Sequence, residues 1–226
     1  MSPTANNLIS LRQLLADRFP KSRLGLPVVA PAPTRLTTGT PPLDATLGGG
    51  LVPGEITELV GTGAGSGSCQ VLHALLRHVA ARGEFLALID GADSFDATAV
   101  APDVLAHLLW VRCRTVDEAL GAADVLLRDP NLPLVVIDLK LNAPAQLRKA
   151  PAAAWHRFAR LLEQNAVTVL VITPHAMVHG AGCRVECASH LGLDALHGDT
   201  AEVPPELRFT LLRSAAGRES TPAQAG

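Results

Sequence analysis

The chain has 226 residues, with 19 basic and 21 acidic side chains and a net charge of −2. That length suits one domain with a substantial core, and the balanced charge excludes recognition driven by a global basic or acidic field. No apolar run reaches the roughly 18 residues of a membrane-spanning helix. The opening MSPTANNLISLRQ has no basic-then-apolar leader pattern, so the four cysteines are expected as reduced thiols in the cytoplasm.

Residues 7–18 place Leu8, Leu11, Leu14 and Leu15 at helical spacing, with Asn6 or Asn7 as a cap. Six prolines between 20 and 42 then read as a tether. From residue 55 the pattern repeats. Apolar runs at 55–60, 85–90, 108–113, 133–138 and 167–173 fit buried parallel strands, with helical stretches near 68–82, 97–107, 116–128 and 151–165 between them. Such alternation predicts an α/β fold, a mostly parallel sheet with helices on both faces. Two further runs, at 183–189 and 206–214, follow without a clear intervening helix and read as antiparallel edge strands. The composition of 215–226 reads as a disordered tail. The expected organisation is thus a helix and Pro-rich tether over 1–36, a single domain over 37–214, and the tail.

The first strand leads into GTGAGSGS (61–68), with a helix beginning at Ser68. A phosphate loop of the form G-x-x-x-x-G-K-[ST] cradles phosphates on backbone N–H groups, neutralises them with a lysine, and offers a hydroxyl to Mg²⁺. Aligned on Gly61, Ser66 stands at the second glycine, Gly67 at the lysine and Ser68 at the hydroxyl position. The scaffold of a nucleotide site is present without its main charge.

Residues 38–61, TGTPPLDATLGGGLVPGEITELVG, resemble the stretch before the phosphate loop in RecA-like recombination ATPases. Thr38-Gly39, Leu43-Asp44, Leu47, Gly48-Gly49-Gly50, Pro53-Gly54 and Glu58 carry that likeness. Segments 85–96, 132–140 and 167–175 are similar to the strands that follow in that family, and 132–140 looks like the Walker B strand ending in Asp138. The resemblance implies a RecA-like core and a degenerate nucleotide site of Gly61, Gly65, Ser66, Gly67, Ser68 and Asp138, with Ser68 and Asp138 as the remaining Mg²⁺ partners. It also exposes departures. The catalytic glutamate falls on Ala92, the adenine-stacking tyrosine near Ala99, and the nucleotide-sensing glutamine on His175. The stretch 174–182 is short where the family carries a DNA-binding loop. Phosphoryl transfer depends on positioning and charge, so the expectation is a pseudo-ATPase with no catalytic residues and no required cofactor. A vestigial ATP/Mg²⁺ site stays open, although Asp138 closing its strand and Ser68 capping its helix account for both residues.

Other chemistry-bearing residues receive plainer readings. Asp90 and Asp93 fit a cap after the second strand. Lys140, Arg148 and Lys149 read as a solvated basic edge. His175, His179, Cys183 and Cys187 recur at four-residue spacing, yet a cysteine pair on one strand face is ordinary core, and no metal is expected. Cys69 at a helix N-terminus has a dipole to lower its thiol pKa, but the sequence places no base beside it.

Taken whole, the chain resembles the small degenerate RecA homologues of bacterial mutagenesis cassettes, the ImuA type. This implies an accessory protein of the SOS response and translesion synthesis. Its partners would be a Y-family polymerase homologue, an error-prone polymerase and RecA itself, with direct DNA contact open and no membrane contact. The SOS cell-division inhibitor, which binds the division tubulin homologue, is a second degenerate RecA-like family. A weak ATP-binding recombinase paralogue is a third reading.

Overall fold

The computed structural model describes residues 34–63, 65–129, 131–163, 165, 167–189 and 207–214. The expected N-terminal helix and tail therefore lie outside the described residues. All five apolar runs form strands: β1 (Ile56–Gly61), β2 (Leu86–Asp90), β3 (Leu108–Arg112), β4 (Leu134–Asp138) and β5 (Thr168–Thr173). With β6 (Cys183–Ala188) and β7 (Arg208–Ser214) they make a seven-stranded sheet in the order β3-β2-β4-β5-β1-β6-β7. Strands β1, β2 and β5 are buried along their whole length, as parallel strands covered on both faces must be.

The C-terminal edge carries the expected antiparallel pair, β6 with β7. Strand β6 itself, however, runs parallel to β1, so the sheet reverses only at β7. The short connection 174–182 carries the chain back over β1 without a helix, with Val178 and Ala181 packed in the core of one sheet face; a helix-free connection of this length is the pattern expected of antiparallel pairing.

The helices are α1 (Pro41–Thr46), α2 (Ser68–Ala81), α3 (Pro102–Leu105), α4 (Val116–Leu126), α5 (Pro144–Leu147) and α6 (Ala152–Leu162). Leu43 of α1 and Val71, Leu72, Leu75, Leu76 and Val79 of α2 cover one face of the sheet. Leu120 and Ala123 of α4, Leu147 of α5, and Trp155 and Phe158 of α6 cover the other. Trp155 and Phe158 are wholly buried and meet edge-on, with ring centroids 5.8 Å apart. Each aromatic contributes roughly 1.5–3 kcal/mol of burial.

The helix expected over 97–107 is instead a 3₁₀ turn, Ala97–Ala99, followed by the single turn α3. Pro102 explains the break, because it holds Ala101 in an extended conformation, with ψ 143°. Within the stretch read as a tether, Pro41 starts α1, whose proline needs no N–H partner there.

Candidate functional site

Register lines up the carboxyl ends of the parallel strands. Asp90 pairs with Asp138, Asp138 with Ile172, and Thr173 with Val60 just before Gly61. Ligands of open parallel sheets bind beyond this edge. A cavity of about 610 Å³ lies there, and all six residues of the expected site, Gly61, Gly65, Ser66, Gly67, Ser68 and Asp138, line it. Its apolar wall includes Leu72, Phe95, Leu141 and Pro174.

The position of the missing lysine is closed to a side chain. Gly67 is the N-cap of α2 with φ 85°, a left-handed conformation that disfavours any residue with a Cβ. A Cβ there would come within 2.0 Å of Leu207 Cδ2. Leu207 is buried among the core residues of the α2 face, just before β7. The C-terminal strand thus delivers an apolar side chain into the space where a lysine stem would begin.

A different lysine reaches the loop. Lys140 Nζ donates to Ser66 Oγ and, at 3.1 Å, to Ser68 Oγ. This corrects the reading of Lys140 as a solvated edge. Asp138 Oδ1 accepts from the Lys140 backbone N–H at 3.0 Å, and the turn this bond closes sends the partly buried side chain past the end of β5 to the phosphate loop. Arg148 and Lys149, farther along, are exposed as expected. Burial pushes the Lys140 ammonium below its ordinary pKa, and Asp138 opposes that shift. Burial raises Asp138 to about 6. Gly61 leaves room for this arrangement, since a Cβ there would meet Ser66 Oγ at 2.5 Å and Lys140 Nζ at 3.2 Å.

A magnesium nucleotide does not fit this arrangement. The hydroxyl that would ligate Mg²⁺, Ser68 Oγ, is held by the Lys140 ammonium, and a divalent cation there would sit against a positive charge.

The remaining candidates resolve individually. Asp90 is buried and closes the following turn, accepting from Ser94 N at 3.0 Å, Phe95 N at 2.8 Å and Trp110 Nε1 at 3.3 Å. Asp93 forms a two-pronged pair with Arg112 at the surface, and that hydrogen bond holds its carboxyl below the usual range. The reactive-thiol idea for Cys69 is not sustained. Burial and then the Asp138 carboxylate raise its thiol pKa, outweighing Lys140. The sequence missed a neighbour, His73, whose Nε2 lies 3.8 Å from the sulfur. Cys183 and Cys187 pack with the α2-face core, while His175 and His179 are exposed. Among the described residues no three His, Cys, Asp or Glu side chains gather as a metal site. Ala92 brings no carboxylate, Ala99 no stacking ring and the exposed His175 no amide.

Glu58 belongs to the 38–61 stretch, whose local pattern says nothing of its partners. It is fully buried on β1, and its Oε1 accepts from Thr173 Oγ1 at 3.0 Å, Met177 N at 2.8 Å and Val178 N at 3.1 Å. Its Oε2 pairs with the Arg184 guanidinium, which also donates to Val178 O at 3.0 Å. One carboxylate therefore pins the shortened 174–182 connection to the sheet.

A mostly parallel sheet with a glycine loop between β1 and α2, and with an aspartate ending β4, is an α/β fold consistent with a RecA-like core. The chain is 35% identical to Protein RecA of Synechococcus elongatus over 106 residues, covering 46% of this chain and 29% of that protein. It is 33% identical to Protein RecA of Nostoc sp. over the same length and shares. The chain is thus RecA-related over part of its length, and it spans less than a third of the relatives it matches. No family profile matches it.

Proposed function

We propose that this chain is a non-catalytic RecA-related accessory protein of the bacterial DNA-damage response. In this reading it is a cytoplasmic protein of the ImuA type that supports error-prone translesion synthesis through protein contacts and turns over no ATP. The observation that carries the reading is the phosphate loop itself. Gly67 stands in a left-handed conformation under Leu207 where a catalytic loop needs its lysine, and Ala92 offers no carboxylate to activate water. Positioning and electrostatic stabilisation of the transferred phosphoryl group account for most of the catalysis in such enzymes. Its partners are the Y-family polymerase homologue and the error-prone polymerase of the same response, with RecA as a third. Strand β7, last in the order of the described strands, exposes Leu212, an apolar surface for such a contact.

Two measurements test the reading. The pure chain is expected to show no DNA-stimulated ATP hydrolysis above background, and robust hydrolysis abolished by Asp138→Ala overturns the pseudo-ATPase assignment. In pull-downs it is expected to retain the polymerase homologues or RecA. Retention of the division tubulin homologue instead replaces this role with cell-division inhibition.

A further inference from the structure

The phosphate loop has lost its lysine, yet a lysine stands on it. Lys140 comes from the segment after β4, and its ammonium is seated on the hydroxyls of Ser66 and Ser68. Among the described residues no carboxylate lies within ion-pair distance of that ammonium. It is a partly buried cation, bonded only to neutral groups, at the wall of a cavity large enough for a small organic ligand. A partly desolvated charge with no ion-pair partner is costly; Asp138 opposes only part of that cost, and an anion in the cavity offsets more of it. Gln70 also contributes to the cavity wall. The seat on Ser68 Oγ is where Mg²⁺ would otherwise bind, so a single positive charge stands at the loop in place of the metal.

We propose that this cavity binds a small phosphate ester through Lys140, with no divalent cation. The phosphate would lie against the Lys140 ammonium at the glycine loop, and the apolar wall of Leu72, Phe95, Leu141 and Pro174 would cover the organic part. The site is one of binding, without bond cleavage. It goes beyond the accessory role and stands or falls separately from the pull-downs.

Calorimetric titration of the full chain with pyrophosphate, ADP and ATP, each in EDTA and again in excess Mg²⁺, tests this. Saturable binding of at least one probe is expected in EDTA, and Mg²⁺ is expected not to tighten it. Lys140→Met should weaken it about ten-fold, the scale of one lost charge-assisted hydrogen bond, while Lys140→Arg retains most of it. Equal affinity for pyrophosphate and ADP identifies the phosphate as the whole determinant, and tighter ADP adds the nucleoside; either supports the proposal. Absence of saturable binding for all three probes, a requirement for Mg²⁺, or unchanged affinity in Lys140→Met overturns it. Should Lys140→Met not fold, Gly61→Ala crowds the ammonium through its methyl while keeping the charge. Weaker binding supports the proposal there, and unchanged affinity overturns it.

Discussion

Glu58 and Arg184 form an ion pair whose carboxylate is wholly buried and whose guanidinium is 19% exposed. Such a pair stabilises little against a well-packed apolar substitute, but removing one partner leaves the other charged and unsatisfied. Arg184→Ala is therefore expected to lower unfolding free energy by about 3–5 kcal/mol, read by urea denaturation. Glu58→Gln should cost less, because its amide keeps one acceptor for Thr173, Met177 and Val178. A loss below about 1 kcal/mol in Arg184→Ala would show that the connection 174–182 holds without the pair. Asp138 behaves in the opposite sense. Burial raises its pKa to about 6, so it binds its proton more tightly folded than unfolded. That contribution is fully present below about pH 4 and is lost as pH rises through about 6. Asp138→Asn removes the titration and should gain stability relative to the parent between those limits, by up to ~3 kcal/mol at neutral pH. Denaturation at pH 4, 5, 6 and 7.5 checks it, and a pH-independent difference contradicts it.

At the scale of elements, the contact between the N-terminus of α2 and the segment before β7 governs the site. Restoring a lysine by Gly67→Lys is expected to destabilise the fold by about 1–3 kcal/mol, from positive φ and overpacking against Leu207, without restoring ATP hydrolysis. The double variant with Leu207→Ala should leave part of that loss in place, because the backbone strain remains. Full recovery of stability would assign the whole cost to Leu207. Helix α4 shows how much an element can carry on its own sequence. Thr115 caps it by accepting from Glu118 N at 3.2 Å, and Glu118 reaches back to Arg114 N at 2.7 Å, a reciprocal satisfaction of end groups readable as T-x-x-E. The expected helix over 97–107 failed for an equally local reason, the proline at its middle.

Across the whole molecule, near-continuous apolar runs determined the parallel strands, because a strand buried on both faces admits a polar side chain only where it is satisfied, as Glu58 is. Glycine spacing and Ser68 marked the strand–loop–helix joint, and Asp138 marked the end of β4, since short-range chemistry of that kind is written in adjacent residues. Strand order, and with it the direction of β6, depended on which edges met, and no local pattern records that. The same holds for the occupants of the loop. Lys140 lies 74 residues from Ser66 along the chain, yet the register of β4, β5 and β1 brings the two together. Leu207 arrives at Gly67 from the far end of the domain. The sequence by itself determined that this protein has a phosphate-loop scaffold with its lysine missing, because backbone geometry demands glycine and small residues in place. Only the tertiary structure decided that an apolar side chain fills the vacated space and that another lysine brings a charge to the loop, because both are contacts between segments that meet only when the sheet is assembled.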